Sequence, residues 1–257
     1  MQLVVLAAGR GERLWPLTRN TPKCLLELAN GMSVLDMQLQ SLKEISEISE
    51  IIFVLGYLAE QVEAKLIHYA NLQLNIRTVY NPFFAESNNL ISLWYALPYL
   101  GDNFIVVNGD DVYDSRVPQG LVQVDGDKDV VMTIDRKEKY DLDDMKVITR
   151  GERVLQVGKQ IAPAEANGES IGMIRFRANG ASRFKEILNQ VVRLPSGKTV
   201  FWLYAVQELI NRGYTVNWYE CKPGDWAEID FHPDLDLVRG SLTENYAALI
   251  KKWSQRD

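Results

Sequence analysis

Gln2-Leu3-Val4-Val5-Leu6-Ala7-Ala8-Gly9-Arg10-Gly11-Glu12-Arg13 is the stretch whose reading decides the fold. The unbroken aliphatic run from Leu3 to Ala7 reads as a strand buried on both faces, as in the middle of a largely parallel sheet. Glycines at 9 and 11 remove two Cβ atoms where the strand ends, so backbone N–H groups can turn together toward an anion. Two better-known phosphate loops do not fit. A dinucleotide fingerprint needs a third Gly or Ala where Arg13 stands, and a P-loop needs Gly-Lys-Ser/Thr. An arginine at that place points to direct charge pairing with phosphate oxygens. Ten residues on, Thr21-Pro22-Lys23 holds a lysine behind a proline that restricts the turn. A lone surface lysine is ordinarily just solvated, but beside this loop Lys23 supplies the second cation a polyphosphate needs.

Working outward, Ser33–Leu42 reads as a capped helix crossing back over the sheet. Ile51–Leu55, Ala59–Tyr69, Ile76–Tyr80, Asn89–Leu97 and Phe104–Asn108 continue the alternation of strand and helix. Past Asp111 the pattern changes to the short strand-like runs Val130–Ile134, Met145–Ile148, Val154–Val157 and Ile171–Phe176, a helix-poor and more antiparallel half. Amphipathic helices over Ala178–Val191 and Val200–Arg212, a strand at Val216–Tyr219 and a surface helix at Thr243–Trp253 complete the expectation. Without repeat or flexible linker, the 257 residues read as one domain, 1–257, with a nucleotide-binding half over 1–110 and an acceptor-binding half over 111–257.

With 28 Lys and Arg against 34 Asp and Glu, a net charge of -6 leaves no overall basic field to attract nucleic acid or an anionic membrane. An anionic ligand must therefore meet locally placed cations. No segment reaches the ~18 apolar residues of a membrane span. The apolar start is too brief for a secretion signal, and the two cysteines, Cys24 and Cys221, read as free thiols. The expected setting is the cytoplasm.

Val106-Val107-Asn108-Gly109-Asp110-Asp111 carries a buried strand into two carboxylates at the carboxyl edge of the sheet, where open α/β sheets bind ligands. Such Asp pairs serve as turn formers about as readily as metal ligands. Far downstream, Trp226-Ala227-Glu228-Ile229-Asp230 places a further carboxylate among apolar neighbours. Two hard oxygen ligands with phosphate oxygens and water suit Mg2+. His68 and His232 lack a paired nucleophile, so a covalent enzyme intermediate is not expected.

LAAGRGERLWPLT, followed by TPKCLLEL, resembles the opening of the nucleotidylyltransferases that join an NTP to a phosphorylated small molecule. Gly56-Tyr57 with Glu60-Gln61, Tyr80-Asn81, Asn88-x-x-x-Ser92, Asp144-x-Lys146-Val147, Val157-Gly158-Lys159 and the run from Trp226 to Asp230 narrow this. Together they resemble the bacterial CTP:phosphocholine cytidylyltransferase branch and its relatives acting on other phosphates and phosphonates. The resemblance implies an α/β fold: a three-layer α/β/α sandwich with a mixed, mostly parallel, GT-A-like sheet. It implies that Leu6, Ala7, Ala8, Gly9 and Tyr57 line base and ribose, with Asn81, Asn88 and Ser92 nearby. Gly11, Arg13 and Lys23 would hold the triphosphate, Asp110 and Asp230 would bind Mg2+, and Lys146 and Lys159 would approach the acceptor phosphate. Trp202, Tyr204 and Trp226 are candidate aromatics for the acceptor, although each also reads as ordinary core. Members acting on phosphocholine often carry acids near the start of the helix written here Val200-Phe201-Trp202-Leu203-Tyr204-Ala205, which has none. The expected acceptor is therefore another phosphorylated alcohol, amine, polyol or phosphonate, used in decorating a cell-surface polysaccharide. The competing readings are a sugar-1-phosphate nucleotidylyltransferase using UTP, dTTP or GTP, and a non-catalytic nucleotide-binding regulatory domain.

Overall fold

The computed structural model describes residues 1–29, 31–42, 45–70, 75–124 and 127–241. A nine-stranded sheet runs in the order Ile76–Tyr80, Glu50–Leu55, Gln2–Ala7, Asn103–Asn108, Gly168–Arg177, Val130–Asp135, Asn217–Glu220, Arg153–Val157, Lys146–Arg150. The first four are mutually parallel, so their carboxyl ends and the loops that follow them open on one edge. Gly168–Arg177 then runs antiparallel to Asn103–Asn108 and Val130–Asp135, and its first residues also pair with Lys146 and Val147. The expected "mostly parallel" sheet is thus corrected. Four parallel pairings face five antiparallel ones among the described residues, because Gly168–Arg177 reverses direction against three strands and Arg153–Val157 against two.

Alternation along the strands builds two cores. Val4, Leu6, Phe104 and Val106 pack on one face with Phe184 and Leu188 of the helix Ala178–Val191 and Val206 of the helix Leu203–Asn211. Leu3, Val5, Ile105 and Val107 pack on the other with Leu35 and Leu39 of the helix Val34–Leu42 and Val62 and Leu66 of the helix Ala59–Ala70. Both faces of the sheet are therefore covered by helices, the arrangement of an α/β protein. Ser33 caps the first helix as read from sequence: its Oγ accepts from the Asp36 amide at 3.3 Å, and Asp36 Oδ2 accepts from the Ser33 amide at 2.8 Å.

A helix at Arg116–Gln123 interrupts the half expected to be helix-poor. Pro118 and Gly120 disguise it in the sequence, yet Val117, Pro118, Leu121 and Val122 form a buried stripe. Gly120 is required by packing, since a Cβ there would lie 2.0 Å from the Tyr219 hydroxyl. The helix expected from Val200 begins only at Leu203. Two short ribbons, Glu27–Ala29 with Met32–Ser33 and Asp111–Tyr113 with Trp226–Glu228, carried no alternation long enough to read. The helix expected over 243–253 lies outside the described residues. Among those residues, no helix is long and apolar enough to cross a membrane.

Arg175, fully buried on the reversing strand, anchors the interrupting helix. Its guanidinium donates to the carbonyls of Leu121, Val122 and Val124, at 2.6, 3.0 and 3.1 Å, and of Lys128 at 3.1 Å. A cation belongs at a helix C-terminus, where the last carbonyls lack partners. Burial pushes the guanidinium pKa down to about 10, with Arg177 adding to the effect. The carbonyl set nonetheless outweighs relief of the buried charge, since each orphaned buried acceptor costs about 1–3 kcal/mol. Arg175→Met should therefore destabilise the protein by about 3 kcal/mol, measured by urea unfolding. Unchanged stability would show that these bonds contribute nothing net.

Candidate functional site

The parallel strands deliver their carboxyl ends into one cleft of about 800 Å³. After Gln2–Ala7 the chain turns at Gly11, whose φ of 60° is left-handed. There Thr18 Oγ1 donates to the Gly11 carbonyl at 2.7 Å. A Cβ on Gly11 would press on Lys23 and Thr18, each at 3.2 Å, so the glycine both makes the turn and lets Lys23 lie against it. After Asn103–Asn108, Gly109 donates to the Leu6 carbonyl at 2.9 Å, and a Cβ there would approach that oxygen to 2.6 Å. Close backbone approach thus sets Asp110 beside the glycine loop. Gln38, on the helix Val34–Leu42, holds the same turn from below. Its amide donates to the carbonyls of Asn108 and Asp111, each at 2.8 Å.

The ribbon accounts for how Asp230 arrives. Trp226–Glu228 pairs antiparallel with Asp111–Tyr113, and the Ile229 amide donates to the Asp110 carbonyl at 3.1 Å. Lys23 Nζ then lies 2.7 Å from Asp110 Oδ2 and 2.9 Å from Asp230 Oδ1. Arg13 reaches the other Asp230 oxygen and sits 3.1 Å from Asp143 Oδ2, whose second oxygen is 2.8 Å from Lys159 Nζ. Burial alone would depress the Lys23 ammonium pKa, but Asp110 and Asp230 outweigh it and hold the group charged. The same ion pairs overcome the desolvation of Asp230 and keep its carboxyl below the usual range.

Carboxylate oxygens of Asp110, Glu228 and Asp230 lie within 4.8 Å of one another. An all-oxygen acidic donor set fits a hard divalent cation. Glu228 is an exposed residue whose carboxyl sits close to the other two, and desolvation together with Asp110 and Asp230 pushes it up to about 8. Asp111 is buried, and desolvation with the charges of Asp110 and Glu228 raises it well above the usual range.

Of the residues singled out in the sequence, Leu6, Ala7, Ala8, Gly9, Gly11, Arg13, Lys23, Asn88, Ser92, Asp110, Lys159, Trp226 and Asp230 all line the cleft. The other five do not. Lys146 is fully buried, and its ammonium donates to the carbonyls of Asp141, Leu142 and Asp144, so it braces a loop rather than facing an acceptor. Trp202 is a core residue whose Nε1 donates to Asn108 Oδ1 at 3.2 Å. Asn81 is buried with its amide on Ser92 Oγ at 3.0 Å, shaping the wall from behind. Tyr57 donates to the Arg19 carbonyl and packs under Arg10, while Tyr204 lies outside the lining on the surface. Sequence reasoning missed Asp143, Gln38 and Glu228 as site residues. For Glu228 a signal was present, since a residue two positions from Asp230 in an extended segment shares its face.

Residues 2–153 match the family model described as nucleotidyl transferase. The chain belongs to that family. A choline-phosphate cytidylyltransferase of Streptococcus pneumoniae is 36% identical over 106 residues, 41% of this chain and 43% of that protein. A CTP:phosphoglutamine cytidylyltransferase of Campylobacter jejuni is 26% identical over 92% of this chain and 98% of its own. Among solved structures, an inositol-1-phosphate CTP transferase from T. maritima superposes with a TM-score of 0.76 at 19% identity. It covers 92% of this chain and 94% of its own. The structure of the S. pneumoniae CTP:phosphocholine cytidylyltransferase gives 0.74 at 24% identity over 94% and 98%. These neighbours share the fold, a mixed sheet with covering helices. In this nucleotidyl transferase family member, the carboxylate triad should bind Mn2+ or Mg2+. Glu228→Gln should weaken that binding at least ~10-fold, measured by calorimetry on the folded variant. Unaltered affinity would remove Glu228 from the donor set.

Proposed function

We propose that this chain is a cytidylyltransferase that moves CMP from CTP to a small phosphorylated or phosphonate alcohol or amine, releasing pyrophosphate. The observation that carries the reading is the meeting of Arg13 and Lys23 with Asp110 and Asp230 in one cleft, with Lys159 joined to the same cluster through Asp143. Support for CTP comes from the names of the relatives, including a 2-aminoethylphosphonate cytidylyltransferase of Lancefieldella rimae, 28% identical over 77% of this chain. In this reading the domain is single and GT-A-like, a three-layer α/β/α sandwich. Residues 1–110 hold the nucleotide and 111–257 the acceptor. We place the reaction in the cytoplasm, feeding the decoration of a surface polysaccharide.

The glycine loop cradles the triphosphate: Gly9, Arg10 and Gly11 line the cleft, and their amides donate to no protein group among the described residues. Lys23 and Arg13 turn from their carboxylate partners to the phosphate oxygens and stabilise charge growing on pyrophosphate as it leaves. Lys159 holds the acceptor's phosphate against the α-phosphorus, which that oxygen attacks in line. Asp110, Asp230 and Glu228 would hold Mg2+, which when bound would supply further neutralisation of the triphosphate. The demand is electrostatic, since each unit-charge pair at ~4 Å repels by about 4 kcal/mol at an effective dielectric near 20. Catalysis is then positioning and charge stabilisation without a protein nucleophile.

Lys23→Ala should leave a folded protein whose kcat falls ~10²–10³-fold, the usual loss when one such donor is removed. Near-normal turnover would refute the assignment. A panel of CTP, UTP, dTTP and GTP, read by pyrophosphate release, should favour CTP. Preference for one of the others would transfer the reading to the sugar-1-phosphate nucleotidylyltransferases, and absence of turnover with every acceptor would favour a nucleotide-binding regulatory domain.

A further inference from the structure

Asp143 joins two cations that the chain brings from far apart. Its Oδ2 lies 3.1 Å from the Arg13 guanidinium and its Oδ1 lies 2.8 Å from the Lys159 ammonium. Arg13 stands on the turn after the first strand, and Lys159 on the turn that follows Arg153–Val157. All three residues line the cleft. A carboxylate held between two N–H-bearing cations occupies the kind of seat a phosphate group takes, since each anion offers several oxygens to charged donors.

Neither the loop nor the cations depend on this contact for support. The Lys146 ammonium donates to the carbonyls of Asp141 and Leu142, each at 3.0 Å, and of Asp144 at 3.2 Å. The Asp144 carboxylate accepts from the Asp141 amide at 2.6 Å and lies 2.8 Å from the Lys137 ammonium. None of these bonds uses the Asp143 side chain. Arg13 is also paired with Asp230 and lies over the Phe231 ring, 5.1 Å from its centroid. The Lys159 ammonium lies 4.9 Å from the centroid of the Phe201 ring, and the Gly158 amide before it donates to the Lys146 carbonyl at 2.9 Å. About half of the Asp143 side chain is open to solvent, so rotation about its own bonds releases both cations while the braced backbone stays in place. Exposed pairs of this kind contribute little to stability, and their consequence lies in what they keep out.

We infer that Asp143 is a built-in competitor for the anion seat between Arg13 and Lys159, a carboxylate that substrate phosphates displace and that returns as pyrophosphate departs. The inference takes its purpose from the cytidylyl-transfer reading and adds to it the residue that sets how strongly the cleft retains simple anions. Two unpaired cations would hold inorganic phosphate or the pyrophosphate product. A tethered carboxylate meets them at high effective concentration and excludes such ions, whereas a substrate with further anchors in the cleft still displaces it. Asp143 makes and breaks no covalent bond, and its part is specificity.

Calorimetry on the whole chain with inorganic phosphate and with pyrophosphate tests this, Mg2+ being left out so that the carboxylate triad does not enter the comparison. Asp143→Asn removes the charge and keeps the size. It should bind both anions roughly 3- to 30-fold more tightly than wild type, the span expected when two exposed ion pairs no longer compete. Asp141→Asn takes a charge off the same loop at a residue outside the cleft lining. In about 0.15 M salt it should stay within about 2-fold of wild type. Binding by Asp143→Asn that equals wild type overturns the inference. Weaker binding overturns it too and makes Asp143 a mooring for the two cations. Equal tightening by Asp141→Asn also overturns it, because the loop's charge alone would then be at work. Asp143→Ser is the second variant should the asparagine not fold, and failure of both to fold overturns the inference, since the loop would then depend on the contact. A wild type that turns over no nucleotide with any acceptor overturns the cytidylyl-transfer reading, while the anion comparison still decides the competitor.

Discussion

The ammonium of Lys23, set between Asp110 and Asp230, is the contact on which the site depends. Three carboxylates gathered within 4.8 Å would push their segments apart, since each pair at that spacing repels by a few kcal/mol at an intermediate dielectric. Lys23 and Arg13 supply the opposing charge, and each is carried on a different turn after the first strand. The glycine loop, the turn at 23–25, the end of Asn103–Asn108 and the ribbon at 226–228 are thus tied together by charge as well as by main-chain bonds. In the proposed reaction, phosphate oxygens would give the cations new anions to serve and would free the carboxylates for a divalent ion.

Apolar packing makes such a cluster affordable. The strands beneath it are buried on both faces, and helices cover both cores, so the carboxyl edge is a rigid platform. The Leu6 carbonyl accepts from Gly109, and the Asp110 carbonyl accepts from Ile229. Each bond locks one acidic segment to a neighbour by backbone, independent of side-chain charge. Gln38 adds two further bonds to the same turn. Side chains that exchange partners during a reaction need a frame that does not depend on them, and these main-chain contacts provide it.

Much of this was legible in the sequence, and the parts that were not share a cause. The aliphatic run at 3–7, the glycines at 9 and 11, and the carboxylates at 110 and 230 are local signals, and the structure brings them into one cleft. Lys146 and Trp202 were misread because type and spacing do not reveal which way a side chain points. The lysine turned inward to three carbonyls, and the tryptophan filled the core beside Phe184. Gln38 and Asp143 are long-range partners with no local pattern. The helix at Arg116–Gln123 hid behind Pro118 and Gly120, residues that local propensity counts against a helix, while tertiary packing against Tyr219 and the Arg175 guanidinium overrides that preference. The ribbon that delivers Glu228 is too short for its alternation to stand out.

The distribution of nucleophiles bears on the chemistry. Cys24 lines the cleft beside Lys23, the position from which a covalent intermediate would be built. Burial pushes its thiol up to about 12, with Asp110 adding to the effect, so it stays protonated and unreactive. His232 faces the Trp15 carbonyl and His68 the Ala64 carbonyl, and neither lines the cleft. No thiolate, and no histidine-activated hydroxyl or thiol, stands at the site among the described residues. Opposite charges are instead interleaved there, Arg13 and Lys23 set among the carboxylates of Asp110, Asp143 and Asp230, and Lys159 on Asp143. Fixed charges without an activated nucleophile suit a reaction that proceeds by positioning and charge stabilisation.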